Sequence, residues 1–111
     1  MQKVGIIRCQ QTEDICSGTA DFKVMQEGKG AFAGNRGPVE IIGFVSCGGC
    51  PGKRAVSRAK LMVDRGASVI ALASCIFRGT PIGFACPHRE IIKESIKKGV
   101  GESVTVLDYT H

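Results

Sequence analysis

The chain has 111 residues, 43% hydrophobic and 23% charged, with a formal net charge of +5. That length supports one core and is short for two, the composition excludes a disordered chain, and no apolar run approaches the roughly 20 residues a membrane span needs. The positive charge does not amount to a nucleic-acid module. Lys3, Arg8, Arg54, Arg58, Arg65, Lys97 and Lys98 are scattered, with one Tyr and no Trp, so a solvated basic surface or attraction for a small anion is expected instead.

In chain order, the first element is a strand over 3–9, KVGIIRC. Its short apolar core is followed by no A-x-A-like cleavage site, so it reads as a strand and not a signal peptide, and a cytoplasmic chain is expected. A short helix over Thr19–Glu27 follows, with Phe22 and Met25 on one face, then a Gly-rich loop through Gly28, Gly30, Gly34 and Gly37. The second strand is EIIGFVSC, 40–47. A helix is expected within 51–66, where Val56, Ala59, Leu61, Met62 and Val63 form a stripe, Pro51 suits the first turn and Gly66 the stop. The third strand is SVIALASC, 68–75, and a helix follows within 87–101. Ile91, Ile92 and Ile96 give that helix its apolar face, Lys97 and Lys98 a basic last turn, and Gly99 a cap. The last strand spans 103–111.

The strands are continuous apolar runs, as in parallel strands covered on both faces. With no repeat or linker, one domain over 1–111 is expected. Strand–helix alternation predicts an α/β fold with right-handed βαβ units. The expected form is a small doubly wound, mainly parallel four-stranded sheet, flavodoxin- or Rossmann-like, in the order 2-1-3-4. Its edge strands would suit a second copy of the chain, so a homo-oligomer is among the expectations.

Each expected strand ends in Cys or His: Cys9, Cys47, Cys75 and His111. In a parallel sheet those ends share one edge, where α/β folds bind ligands. Cys16, Cys50, Cys86 and His88 follow closely in sequence, so all six Cys and both His map to that rim. A single strand-end Cys is more often a small buried residue than a ligand. Thiols used only for packing would also occur mid-strand and on inner helix faces. In a reducing compartment such a set points to metal binding or catalysis rather than a disulfide framework.

The CxxC of Cys47-Gly48-Gly49-Cys50 can bite one zinc or iron centre. It can also close a small disulfide ring at a helix N-terminus, where the dipole favours the thiolate. In that alternative Cys47 attacks and Cys50 resolves; the further thiols nearby favour metal. Cys86 and His88 are donors two apart, cramped for one ion, and His88 suits a helix cap or the surface equally well. CGGCPGKR is not a P-loop, since Cys47 replaces the first glycine and Arg54 follows Lys53. A phosphatase loop fails too, because Lys53 stands where its arginine belongs. Only anion binding at a helix start is retained. No His/Asp/Glu constellation for hydrolysis stands out, with Asp108 the one carboxylate near the end of the last strand.

The ordered set RC at 8–9, CGGCPG at 47–52, LASC at 72–75, CPH at 86–88 and TH at 110–111 resembles the CGGC domain family of small bacterial and archaeal proteins, over essentially the whole chain. The resemblance implies a metal-binding domain, with zinc the implied ion and no established reaction. The ligands it implies are Cys9, Cys16, Cys47, Cys50, Cys75, Cys86, His88 and His111. On the residue reading, Cys9, Cys47, Cys50 and Cys75 come first, and Cys86, His88 and His111 are further ligands or their supports. Zinc or an iron–sulfur cluster suits such donors. A thiol–disulfide protein using Cys47 and Cys50 is the main alternative, and a small-anion module the third.

Overall fold

The apolar runs pair into a four-stranded sheet, parallel throughout, in the expected order β2-β1-β3-β4. The structure is a computed structural model that describes residues 2–12, 15–32, 39–50, 52–79, 83 and 85–110. Its strands are β1 (Gln2–Arg8), β2 (Val39–Ser46), β3 (Val69–Leu72) and β4 (Thr105–Leu107). Its helices are α1 (Thr19–Glu27), α2 (Ala55–Asp64), α3 (Ser74–Phe77) and α4 (Arg89–Val100), with 3-10 turns at Gln10–Thr12 and Gly30–Phe32. Gly34, Gly37, Pro51 and His111 lie outside the described residues.

Two glycines fix how the sheet is covered. A register shift between Val4 and Gly5 sets Gly5 opposite Gly43. A Cβ at either position would lie 2.6 Å from Met62 Sδ, so α2 lies directly on bare backbone there. Phe44, the next residue, points to the opposite face of the sheet and packs on Phe22 of α1 at a centroid distance of 5.0 Å. Helices therefore cover both faces. Val4, Ile6 and Ile7 of β1 and all four residues of β3 are buried between them.

Several expected details are corrected. On α1 Asp21 joins Met25 as a buried residue, and Phe22, half-buried, packs on Phe44. On α2 the buried residues are Ala55, Ala59 and Met62, and Leu61 is 51% exposed. On α4 they are Ile92 and Ile96, and Ile91 is 69% exposed. Helix α2 starts at Ala55, because Gly48, Gly49 and Gly52 hold φ of 84, 97 and 89°, which a right-handed helix does not contain. Gly99 is not a cap: a Cβ there would meet Val56 Cγ1 at 2.7 Å, so it marks the close approach of α4 to α2, and the chain turns at Gly101, φ 86°.

The third strand stops at Leu72, short of Cys75. The Ala73 N–H still donates to the Ile7 carbonyl at 2.9 Å, but the Ser74 hydroxyl accepts the Thr110 N–H at 3.1 Å. That long-range bond holds Ser74 off the ladder, where the chain enters α3. Likewise β4 pairs with β3 only from Thr105 to Leu107. Among the described residues no helix is long and apolar enough to cross a membrane.

A candidate thiol site at the carboxyl edge

In this strand order the chain runs from β1 to β2 on one side, and to β3 and β4 on the other. The crevice beyond the carboxyl ends of β1 and β3 is thus the topological switch point, where open parallel sheets take their ligands. Two thiols flank it. Cys9 is the first residue after β1, and Cys75 is carried by α3. The Cys9 N–H donates to Cys75 Sγ at 3.2 Å. Cys75 is 5% exposed, whereas Cys9 is half-buried.

Beneath them is a set of buried polar groups: Arg8, Thr12, Asp21, Ser74 and Thr110. Arg8 Nη2 donates to the Thr12 hydroxyl at 3.2 Å, and that hydroxyl donates to the Cys9 carbonyl at 2.9 Å while lying within reach of the Cys75 sulfur. On the far side the Thr110 hydroxyl donates to Asp21, and the Ser74 N–H donates to Thr110 Oγ1 at 3.4 Å. Residues following β1, β3 and β4 and one residue of α1 are thereby knitted together.

Electrostatics at the two ends differ. Burial pushes the Cys75 thiol up, and the nearby charges of Cys9 and Asp21 act in the same direction. The Cys9 N–H and the Thr12 hydroxyl favour the thiolate and pull it partly back. Arg8 is 7% exposed and its guanidinium lies 5.8 Å from the Phe44 ring centroid. Its Nε is buried without a hydrogen-bond partner, and among the described residues the ion pairs are Lys29–Glu27 and Lys93–Asp108, neither involving Arg8. A buried cation without an ion-pair partner costs several kcal/mol.

The remaining sequence candidates are distributed around this centre. Cys47 is buried just after β2, its N–H on the Arg8 carbonyl at 2.7 Å. Arg58 Nη1 donates to the Ser46 hydroxyl at 3.0 Å and holds the turn that follows. Cys50 is exposed on that turn, and α2 begins at Ala55 with Arg54 as its cap, packed against Gly48 of the CxxC, where a Cβ would lie 2.7 Å from Arg54 Cβ. Cys16 is half-buried ahead of α1, its N–H on the Thr12 carbonyl at 2.8 Å. The Cys86 N–H bonds the Ile76 carbonyl at 2.7 Å, which sets it beside α3, and its sulfur accepts the His88 N–H at 3.4 Å. His88 itself lines an apolar groove of about 370 Å³ with Gly52, Lys53, Val56, Ile91, Ile92 and Ser95. Asp108 is engaged by Lys93 at 3.0 Å. His111 lies outside the described residues, as noted.

Among the described residues no three Cys, His, Asp or Glu side chains gather into a set able to hold a metal ion. Among the described residues, what the rim shows is the Cys9 main chain on the Cys75 sulfur and not a finished tetrahedral site. The sequence reading also missed the polar floor. Its one signal was Asp21, which shares the inner face of α1 with Met25 at a spacing of four, where a charge is out of place.

No solved structure matches this chain. An uncharacterized protein of Methanocaldococcus jannaschii is 41% identical over 81 residues, which are 68% of this chain and 62% of the archaeal protein. The family model of the CGGC domain matches residues 3–111, and the chain therefore belongs to the CGGC domain family.

Proposed function

We propose that this domain binds a soft metal ion through the thiols of its carboxyl edge, with zinc as the ion and an iron–sulfur cluster as the alternative. The observation that carries the reading is the contact between Cys9 and the Cys75 sulfur across the β1/β3 switch point. Zinc takes four donors, and the described side chains do not supply a ready-made set. On this reading Cys9 and Cys75 are the fixed half. Cys47 and one of Cys50, Cys86, His88, Cys16 or His111 complete the set when the ion binds. Arg8 supports the reading further, since thiolate ligands bring negative charge near a buried guanidinium that has no ion-pair partner among the described residues.

The test is elemental analysis of protein purified without oxygen, together with a visible spectrum and a thiol count on the same sample. About one zinc per chain, no visible absorption and masked thiols are expected. Iron with sulfide-dependent absorption selects the cluster instead. Metal-free protein with all six thiols free refutes the reading.

A second reading, small-anion binding, is favoured by a shallow depression of about 310 Å³ lined by Gly48, Gly49, Cys50, Lys53 and Arg54. It predicts that inorganic phosphate binds with unchanged affinity when Cys9 and Cys75 are replaced by serine, and loses affinity on Lys53→Ala.

A further inference from the structure

We infer that Cys9 and Cys75 form a dithiol–disulfide couple, distinct from the CxxC pair, that reduces low-molecular-weight disulfides. The inference does not rest on metal binding, and it concerns the chain in its metal-free, reduced form.

Three observations converge on this pair. The first is placement: the two sulfurs belong to the segments leaving the two central strands, and the Cys9 main chain already touches Cys75 Sγ at 3.2 Å. The second is asymmetry of access. Cys9 is half-buried, whereas Cys75 is 5% exposed. That is the arrangement of an attacking thiol and a resolving thiol. The third is that the inner sulfur is held in place, receiving the Cys9 N–H and lying by the Thr12 hydroxyl, which Arg8 in turn holds.

The CxxC pair lacks this setting. Its outer thiol, Cys50, is exposed on a glycine turn, and α2 begins beyond it at Ala55.

The chemistry balances as follows. The Cys9 thiolate attacks one sulfur of a disulfide RSSR, forming a mixed disulfide and expelling RS⁻, which takes up the proton that Cys9 released. Cys75 Sγ then attacks Cys9 Sγ. The mixed bond breaks, the Cys9–Cys75 disulfide forms, and the second RS⁻ leaves with the proton from Cys75. Two protein thiols are oxidised by two electrons, and one disulfide is reduced to two thiols.

To test it, fully reduced and chelator-treated protein is incubated with excess oxidised glutathione, then alkylated, digested and mapped by fragmentation mass spectrometry. The expected product has lost two thiols and about 2 Da, one disulfide's worth, with the peptides joined Cys9 to Cys75. Cys75→Ser should instead accumulate glutathione on Cys9, and Cys9→Ser should leave Cys75 reduced. A linkage of Cys47 to Cys50 or of Cys75 to Cys86, a persistent glutathione adduct on the unsubstituted protein, or no reaction overturns the inference. Should either serine variant fail to fold, mapping of the unsubstituted protein still decides. Because the sample is metal-free, a failure here leaves the elemental analysis unaffected, and the reverse also holds.

Discussion

Replacing Arg8 by Met should make the protein more stable while making its rim thiols less reactive. The guanidinium is 7% exposed, and its removal from water costs several kcal/mol. Among the described residues its returns are a hydrogen bond to Thr12 at 3.2 Å, worth about 1.5–3 kcal/mol when charge-assisted, and a ring contact at 5.8 Å, worth about 0.5–1 kcal/mol near the limit of its range. The unpartnered Nε returns nothing. Methionine keeps most of the apolar stem and drops the charge, a kind of exchange that is neutral or stabilising by about 1–4 kcal/mol elsewhere. The expected gain is about 1–2 kcal/mol, read as a shift of the urea midpoint at unchanged slope. Loss of the cation should also slow alkylation of Cys9, the next residue in the chain, by iodoacetamide, since a positive charge in the neighbourhood favours the thiolate. A loss of about 3 kcal/mol or more would refute the reasoning, because that is the signature of breaking a compensated buried ion pair.

Gly43→Ala should cost about 1–3 kcal/mol by forcing Met62 aside, since the new Cβ would lie 2.6 Å from its sulfur; the cost should largely vanish in a Met62→Ala background, measured by a double-mutant cycle. Metal-free protein should lose stability as the pH rises past the ordinary thiol range, near the Cys75 reference of 9.0. The unfolded chain ionises this thiol first and binds fewer protons there, so the slope is negative, at most about 1.4 kcal/mol per pH unit from this group. Cys75→Ala should flatten that limb in urea titrations across alkaline pH. If the metal reading holds, Cys9→Ser and Cys75→Ser should each abolish retained zinc, whereas Cys50→Ser, at an exposed turn, should cost less than tenfold in affinity by competition with a chelator.

The parallel sheet and its order were legible because buried strands announce themselves as apolar runs such as EIIGFVSC and SVIALASC, separated by helix-length segments. The helix faces were less so. Ile91 and Ile92 are alike in chemistry, and only packing against α2 decides that Ile92 is inside and Ile91 is 69% exposed. Gly99 looked like punctuation because composition does not distinguish a cap from a close approach, here against Val56. Cys9 and Cys47 could be placed at strand ends, since each directly follows its strand. Cys75 was misplaced by three residues of strand, as Ser74 answers to Thr110, 36 residues away. Arg8 and Thr12 were not legible as buried, because a polar residue reads as surface until its partners are known.

The short β4 has a dynamic consequence. It pairs with β3 over Thr105 to Leu107 alone, and Thr110 beyond it holds both Ser74 and Asp21, the latter across 89 residues of sequence. A three-residue edge strand opens at far less cost than the central pair β1/β3. Each such opening releases the Ser74–Thr110 latch that braces the short helix carrying Cys75. Fraying of the last strand should therefore set the pace of access to the inner sulfur, with amide exchange at Val106 and Thr110 keeping time with alkylation of Cys75.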